Sequence, residues 1–286
     1  MTPLLRPILP VVLLLSLPLW ADDALPLAIV EPPKSWSLDP FYQKCIEVDG
    51  LPILASGKVS DYALKEAAYL VGRMLEGRRD VIDAMVKDKV RVAVMAFDER
   101  TTDIPEHRDL KPASYWNRRA RGLGGETTSC GEENLLNYPG DPYNTENILI
   151  HEFAHCIHDQ GLAKLDPDFN KKLRAAYDDA LAKGLWKKTY AATNIHEYWA
   201  EGVQSWFGTN RHDDNVHNHV DTRDELKEYD PGLAALIEAA FPGNDFQYVR
   251  PDRRKDLGHL QGYDPKAAPT FAWGPDETPE AAKDPR

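Results

Sequence analysis

Cysteine is scarce in this chain and acidic residues outnumber basic ones, and each feature argues against a class of protein. Only 3 of the 286 residues are cysteine, and no two have the short spacing that holds zinc in a zinc ribbon. Asp and Glu outnumber Lys and Arg by 46 to 34, which gives a formal net charge of −12. An acidic balance of this kind disfavours binding to nucleic acids or to anionic membranes. The chain also has no internal repeat and no glycine-rich phosphate loop.

The three cysteines allow at most one disulfide bond within the chain. Cys45 and Cys130 lie near Gly50 and Gly131, in contexts typical of loops, so they are the candidates for pairing. Cys156 falls on the apolar side of a predicted helix and is expected to be a buried free thiol. Spacing by itself does not fix the pairing.

One apolar run stands out near the N-terminus. It extends from Pro7 to Trp20, follows the positive charge of Arg6 and is followed by Ala21 and two aspartates. This pattern is typical of a secretory signal peptide, and the run is too short and too rich in proline for a membrane span. We therefore expect cleavage after Ala21, with Ala24 as the alternative position, loss of residues 1–21 and a secreted or periplasmic protein without stable membrane insertion. A retained membrane anchor is the alternative.

The main chemical motif is His-Glu-x-x-His, formed by His151, Glu152 and His155. On a helix, residues four apart lie about 40° apart around the axis and one turn along it, so both imidazoles point to one spot. That spot suits a zinc ion, and Glu152 lies beside it, where a general base for a zinc-bound water must be. Apolar residues at helical spacing and a stop at Gly161 predict a helix here. A helix with two surface histidines is the alternative.

A catalytic zinc site also needs a third protein ligand and an open position for water. His158 lies close to the radial line of His151 but two turns along the helix, so we place it at the rim of the site. A better source is a second predicted helix at 194–207, on which Glu197 and Glu201 share one face. These two carboxylates suggest one metal ligand and one acceptor for a histidine N–H, with a solvated acidic edge as the alternative.

The segment from Tyr190 to Glu201 carries a more specific pattern. It follows the HEFAH helix and reads Tyr-x-x-Thr-Asn-x-x-Glu-x-x-Ala-Glu. In this it resembles the gluzincin zinc peptidases of the anthrax lethal factor and Pro-Pro endopeptidase type. The resemblance covers roughly residues 140–245, and the spacing of the tyrosine and the glutamate is its most specific part.

The resemblance implies a role for each residue of the site. One zinc ion per chain would be bound by His151, His155 and Glu197. Glu152 would be the catalytic base, and the hydroxyl of Tyr190 would stabilise the oxyanion. Glu201 would be the carboxylate behind a ligand histidine. The implied fold is an α+β zincin-like domain, with a small mixed sheet, the active-site helix and a second helix that carries the glutamate ligand.

The remaining pattern predicts strands before the motif helix and further helices after it. Helical periodicity and apolar runs predict helices at 60–88, 171–184 and about 231–241, and strands at 91–97 and 134–138. Residues 22–58 are rich in proline and are predicted to be irregular. Strands before an active-site helix fit the zincin plan, in which an edge strand pairs with an extended peptide.

A second group of histidines and acids follows the glutamate helix. It consists of His212, His217 and His219 with Asp213 and Asp214. We interpret it as a solvated loop, while a further metal site or a place in the cleft are the alternatives.

Together these patterns predict one catalytic domain at 22–250, between the signal peptide at 1–21 and a Pro-rich, flexible tail at 251–286, for which a loosely docked cover is the alternative. The predicted function is that of a secreted zinc-dependent endopeptidase, acting on a peptide or protein through a zinc-activated water. One alternative is a catalytically degenerate zinc-containing binding module, against which the presence of Glu152 argues because a structural site needs no base. The other is an effector or toxin protease with one narrow substrate. The sequence leaves the oligomeric state open.

Overall fold

The computed structural model describes residues 27–274 of the chain. The signal peptide expected at 1–21 and the final residues, 275–286, lie outside the described residues. Within 27–274, no helix combines the length and the apolar character that crossing a membrane requires.

The sheet is mixed and has five strands in the order β1-β2-β3-β5-β4. They are β1 (Lys44–Val48), β2 (Leu51–Ala55), β3 (Arg91–Met95), β4 (Gly122–Leu123) and β5 (Thr127–Gly131). The pairs β1–β2 and β4–β5 are antiparallel, whereas β2–β3 and β3–β5 are parallel. This confirms the predicted combination of α-helices with a small mixed sheet.

The β1–β2 hairpin lies in the segment that the sequence predicted to be irregular. Its two-residue turn is Asp49-Gly50, with φ angles of 51° and 90°. A turn with positive φ at both central residues matches the right-handed twist of its strands, and Asp-Gly is a preferred pair for it. The turn signal was therefore present in the sequence, although the neighbouring prolines obscured it.

Ten α-helices occur within the described residues. They are α1 (Asp61–Met74), α2 (Arg79–Lys87), α3 (Ala113–Arg119), α4 (Glu132–Leu135), α5 (Ile148–Cys156), α6 (Ala163–Leu165), α7 (Phe169–Ala182), α8 (Ile195–Trp206), α9 (Arg223–Tyr229) and α10 (Pro231–Ala240). A π-helical turn, Ile157–Leu162, joins α5 to α6. Helix α5 packs against β5 on one side and against α8 on another, so it lies at the centre of the domain.

The strand predicted at 134–138 is wrong, because helix α4 forms there instead. Asn134 is buried, and its side chain donates to Asp141 and accepts from the backbone N–H of Ile148. Glu133 forms a fully buried ion pair with Arg121, with an Oε1–Nε distance of 2.5 Å. These partners are distant in sequence and outweigh the local strand pattern. Intrinsic propensity does not take such contacts into account.

All three cysteines are buried and free. Cys45 lies on β1 and Cys130 on β5, with β2 and β3 between them. Three strand spacings separate their backbones by about 14 Å, whereas a disulfide bond requires Cα atoms within about 7 Å. The suggested pairing is therefore wrong, while the buried free thiol predicted for Cys156 is confirmed.

The described part of the C-terminal segment, 251–274, is packed against the domain, which differs from the flexible tail that its composition predicted. Leu260 is fully buried and Phe271 is nearly so. Arg254 and His259 both contact the buried carboxylate of Glu66 on α1, with N–O distances of 2.5 and 2.7 Å. A few apolar anchors and one buried acid thus dock a segment of polar composition.

Candidate metal centre

Helix α5 presents the motif histidines because its start is capped and its apolar faces are buried. At its start, the side chain of Asn147 accepts a hydrogen bond from the backbone N–H of Ile150, which is an N-cap. Apolar residues of the helix, such as Leu149 and Phe153, are fully buried on its core faces. The remaining face carries the two histidines towards α8.

Helix α8 supplies the glutamate from its first turn. The N-cap Asn194 accepts hydrogen bonds from the backbone N–H groups of His196 and Glu197, at 2.8 and 3.0 Å. Tyr198 and Trp199 are fully buried and pack the helix into the core. The indole N–H of Trp199 donates to the carbonyl of Ala154 on α5, at 2.9 Å. This contact fixes the register between the two helices.

The structure brings His151, His155 and Glu197 together in one buried cluster. The Nε2 atoms of the two histidines are 3.2 Å apart. The Oε2 atom of Glu197 is 3.1 Å from Nε2 of His151 and 3.4 Å from Nε2 of His155. Three donor atoms of three side chains therefore face one point.

These separations match those of a tetrahedral zinc site. Ligand atoms bonded to zinc at about 2.0–2.1 Å in tetrahedral arrangement stand about 3.3 Å from one another. Two imidazoles and one carboxylate are also the donor set of many catalytic zinc sites, which leave a fourth position open. The residues present thus fit a zinc ion in geometry and in chemistry.

The sequence predicted that Glu201 would be the acceptor for a histidine N–H. In the structure, the second ring nitrogen of His151 is held by Gln204 instead. Nδ1 of His151 lies 2.7 Å from Oε1 of Gln204 and 3.7 Å from Glu201. Because an amide oxygen can only accept, Nδ1 carries a proton, which leaves Nε2 as the ring nitrogen that faces the cluster and is available to a metal. Glu201 instead contacts His217, at 3.4 Å, and Asn210, at 3.2 Å. A neutral acceptor avoids placing another buried charge against the ligand.

The cluster has a strongly negative field. Burial lowers the pKa of His151, but hydrogen bonding to Glu197 and the charges of Glu152, Glu197 and Glu201 raise it well above its ordinary value. Burial raises the pKa of Glu197, but hydrogen bonds from His151 and His155 hold it far below the usual range. The field that favours a proton on His151 equally favours a cation between the three donors.

A cavity of about 350 Å³ opens beside the cluster and contains the two residues predicted to be catalytic. Glu152 and Tyr190 both line it, together with His151. The ring of Tyr190 lies 6.2 Å from that of His151, measured between centroids. Burial, followed by the charge of Glu197, raises the pKa of Tyr190 well above its usual value, so its hydroxyl keeps its proton. The cavity therefore holds one carboxylate and one neutral hydroxyl donor beside the donor cluster.

Two glycines allow the edge strand β4 to approach α5 at the motif. A Cβ on Gly122 would lie 3.0 Å from Cγ of Glu152 and 2.4 Å from a methyl group of Ile148. A Cβ on Gly124 would lie 2.8 Å from Cβ of His155. Only glycine fits at such distances. The Gly-rich stretch was visible in the sequence, but nothing in its pattern indicated contact with the motif helix.

The histidines outside the motif are distributed differently from the prediction. His217 is buried, lines the cavity and donates from Nδ1 to Oδ1 of Asp214 across 2.8 Å, whereas His212 and His219 are exposed. The solvated-loop interpretation is therefore wrong for His217. His158, predicted at the rim of the site, is fully buried. In both cases burial depends on segments distant in sequence.

The predicted helix stop at Gly161 is also wrong. The helix continues beyond α5 as the π-helical turn, which includes Gly161, and ends after α6. A Cβ on Gly161 would lie 2.7 Å from a methyl group of Val81 on α2. This glycine therefore permits close packing of two helices and does not serve as a cap.

No family model and no curated protein matches the sequence. Among solved structures, the chain is similar to the Pro-Pro endopeptidase PPEP-2 from Paenibacillus alvei. The two share 15% sequence identity with a TM-score of 0.48, over 66% of this chain and 96% of that one. Similarity at this level leaves the function to be inferred from the residues of the site.

Proposed function

We propose that this protein is a zinc-dependent endopeptidase that hydrolyses peptide bonds. The observation that carries the proposal is the convergence of His151, His155 and Glu197, whose donor atoms stand 3.1–3.4 Å apart beside a cavity lined by Glu152 and Tyr190. A structural zinc site is usually closed by four protein ligands and needs neither a base nor a hydroxyl donor beside it. A base and a protonated hydroxyl next to the open side of the cluster are the groups that hydrolysis requires.

Zinc would be held by Nε2 of His151, Nε2 of His155 and the carboxylate of Glu197, where it would act as a Lewis acid and make a water molecule more acidic. Glu152 accepts a proton from this water, and the water oxygen attacks the peptide carbonyl carbon. The hydroxyl of Tyr190 donates a hydrogen bond to the resulting oxyanion. Glu152 then delivers the proton to the amine nitrogen as the C–N bond breaks.

The edge strand β4 supports an extended peptide as the substrate. Within the described sheet it has a neighbour on one side only, β5, so its other side presents unpaired backbone groups. Such an edge can bind a peptide by adding a strand. Because Gly122 and Gly124 place β4 against Glu152 and His155, a peptide added there would pass the cavity that holds the base.

Cleavage of a peptide library by the purified, zinc-loaded chain tests this proposal. We expect cleavage to stop with a chelator and to return with zinc. The matched control is Glu152→Gln, which preserves side-chain shape but removes the base, and should retain zinc while losing about 10²–10⁴-fold in rate. Zinc binding without cleavage of any library member would favour a binding module instead. Equal rates for wild type and Glu152→Gln would contradict the role of the base.

We also propose that the protein is exported and that residues 1–21 are removed. The support is the arrangement of Arg6, the apolar run from Pro7 to Trp20 and the small residue Ala21. N-terminal sequencing of protein recovered outside the cytoplasm should begin at Asp22. Recovery of the chain with Met1 intact would contradict cleavage.

A further inference from the structure

A second cluster of potential ligands lies on the same two helical segments as the first. Among the described residues, His158, Asp159 and His196 form a group whose ligand atoms all lie within 4.8 Å of one another. His158 and Asp159 belong to the π-helical turn that continues α5, and His196 precedes Glu197 on α8. π-helical turns occur frequently at functional sites, because the extra residue changes the direction of neighbouring side chains.

The key observation is a buried nitrogen of His158 that has no partner. The residue is fully buried, and its Nδ1 makes no hydrogen bond. Its Nε2 lies 2.6 Å from Oδ1 of Asn170. Because this amide oxygen only accepts, Nε2 carries the proton and Nδ1 presents a lone pair. Buried polar atoms without partners are rare in folded proteins, and a bound ion is one recognised explanation for them.

The unpaired nitrogen lies near the carboxylate of Asp159, which in turn lies near His196. Nδ1 of His158 is 3.7 Å from Oδ1 of Asp159, and the same oxygen is 3.7 Å from Nδ1 of His196. These separations exceed the tetrahedral value of about 3.3 Å by a few tenths of an ångström. The side chains of Asp159 and His196 are 39% and 48% exposed, so they have the freedom to close on an ion.

The arrangement of His158 repeats that of a metal ligand histidine. In such ligands, one ring nitrogen binds the metal while the other donates to an oxygen that fixes the tautomer. Asn170 provides that oxygen for His158, as Gln204 does for His151. The aromatic side chains of Phe169 and Trp199 flank the His158 ring, at centroid distances of 5.3 and 6.1 Å, and offer Nδ1 no hydrogen bond.

We propose that His158, Asp159 and His196 form a second zinc site that links the π-helical turn to α8. Two imidazole nitrogens and one carboxylate oxygen suit zinc among the divalent metals, with the fourth position taken by solvent. Two of the three ligands must lose side-chain freedom on binding, which costs affinity. The second ion therefore binds more weakly than the first and occupies its site only at higher free zinc.

Equilibrium dialysis of the full chain over a range of free zinc concentrations, followed by elemental analysis, tests the proposal. Wild type should bind one equivalent tightly and a second at higher zinc. The exposed ligands are replaced in His196→Ala and Asp159→Asn, since buried His158 is needed for packing. Each should lose the second equivalent, with affinity reduced more than about 100-fold, and keep the first. The matched control is His212→Ala, which removes an exposed histidine outside the cluster and should keep both equivalents.

The Asn170→Ala variant tests whether His158 binds the second ion or only lies near it. The exposed Asn170 does not contact the proposed ion, but its loss should weaken the second equivalent by about 10–100-fold, as for other partners behind ligand histidines. Cobalt added to protein holding one zinc should give ligand-field absorption in wild type and not in His196→Ala. A single equivalent at all zinc concentrations, or a second one unchanged in His196→Ala, would overturn the proposal.

Discussion

The two histidine clusters are built by the same pair of helical segments, but they differ in how completely their donors are held. In the first, the donor atoms of His151, His155 and Glu197 stand 3.1–3.4 Å apart and all three side chains are largely buried. In the second, only His158 is buried, and Oδ1 of Asp159 stands 3.7 Å from each histidine Nδ1. Helix geometry sets the direction of the side chains in both clusters. The difference in how completely their donors are held therefore comes from the residues around them.

The surroundings decide which cluster has catalytic chemistry within reach. The first adjoins β4, Tyr190 and a cavity that contains Glu152. The second adjoins the aromatic rings of Phe169 and Trp199, which neither accept nor deliver protons at neutral pH. A set of metal ligands is thus sufficient to bind an ion, whereas hydrolysis also needs a base and an oxyanion donor next to it.

The largest expected effect separates the two clusters directly. His155→Ala removes a ligand of the first cluster and should abolish both tight zinc binding and peptide hydrolysis. Elemental analysis at low free zinc and a cleavage assay measure the two losses. His212→Ala, at an exposed histidine in neither cluster, should retain the tight zinc. If wild type and His155→Ala bind the same amount of zinc at low free zinc, the assignment of the first cluster as the tight zinc site is wrong.

The next effect concerns Tyr190, which distinguishes the first cluster from a bare metal site. Tyr190→Phe should retain zinc but lose about 10²–10³-fold in turnover, the usual cost of removing one oxyanion donor. Because the hydroxyl acts in the transition state, kcat should fall more than KM changes. A variant with wild-type turnover would place Tyr190 among the packing residues of the cavity.

A smaller effect tests which residue holds the first ligand histidine. Gln204→Ala removes the acceptor 2.7 Å from Nδ1 of His151 and should weaken zinc affinity about 10–100-fold. Glu201→Gln, at 3.7 Å, should weaken it less, while Glu197→Ala should weaken it most. Competition with a chelator of known affinity measures all three variants. The reverse order for Gln204 and Glu201 would restore the arrangement predicted from sequence.

The smallest effect concerns the π-helical turn that carries half of the second cluster. Gly161→Ala places a methyl group 2.7 Å from Val81 and should destabilise the fold by about 1–3 kcal/mol through overpacking. In the control, Gly232→Ala on α10, the added methyl group meets only Oδ1 of Asp230 at an ordinary contact distance of 3.5 Å, so it should be neutral or stabilise by about 0.5–1 kcal/mol. Urea unfolding curves compare the two variants. A Gly161→Ala variant as stable as wild type would show that the turn has room to adjust.

The elements that were predicted correctly are those whose signals are local. Helical periodicity predicted α7, α8 and α10, and an apolar run predicted β3. The periodic pattern around 60–88 proved to be two helices, α1 and α2. Errors occurred where distant partners override local preference, as at α4, whose acids pair with Arg121 and with backbone groups of other segments. Single-sequence patterns do not contain those partners.

The sequence by itself determined the direction of the donors, because residues four apart on a helix must face one point whatever surrounds them. That rule placed His151 and His155 together and left Glu197 and Glu201 as alternatives on a second helix. The resemblance, through the spacing from Tyr190, already favoured Glu197 as the ligand, and the tertiary structure places it beside the two histidines. Only the tertiary structure chose Gln204 as the partner of His151 and buried His158. Those choices depend on how α5 crosses α8 and how closely β4 approaches, and both are set by packing between residues far apart in the chain.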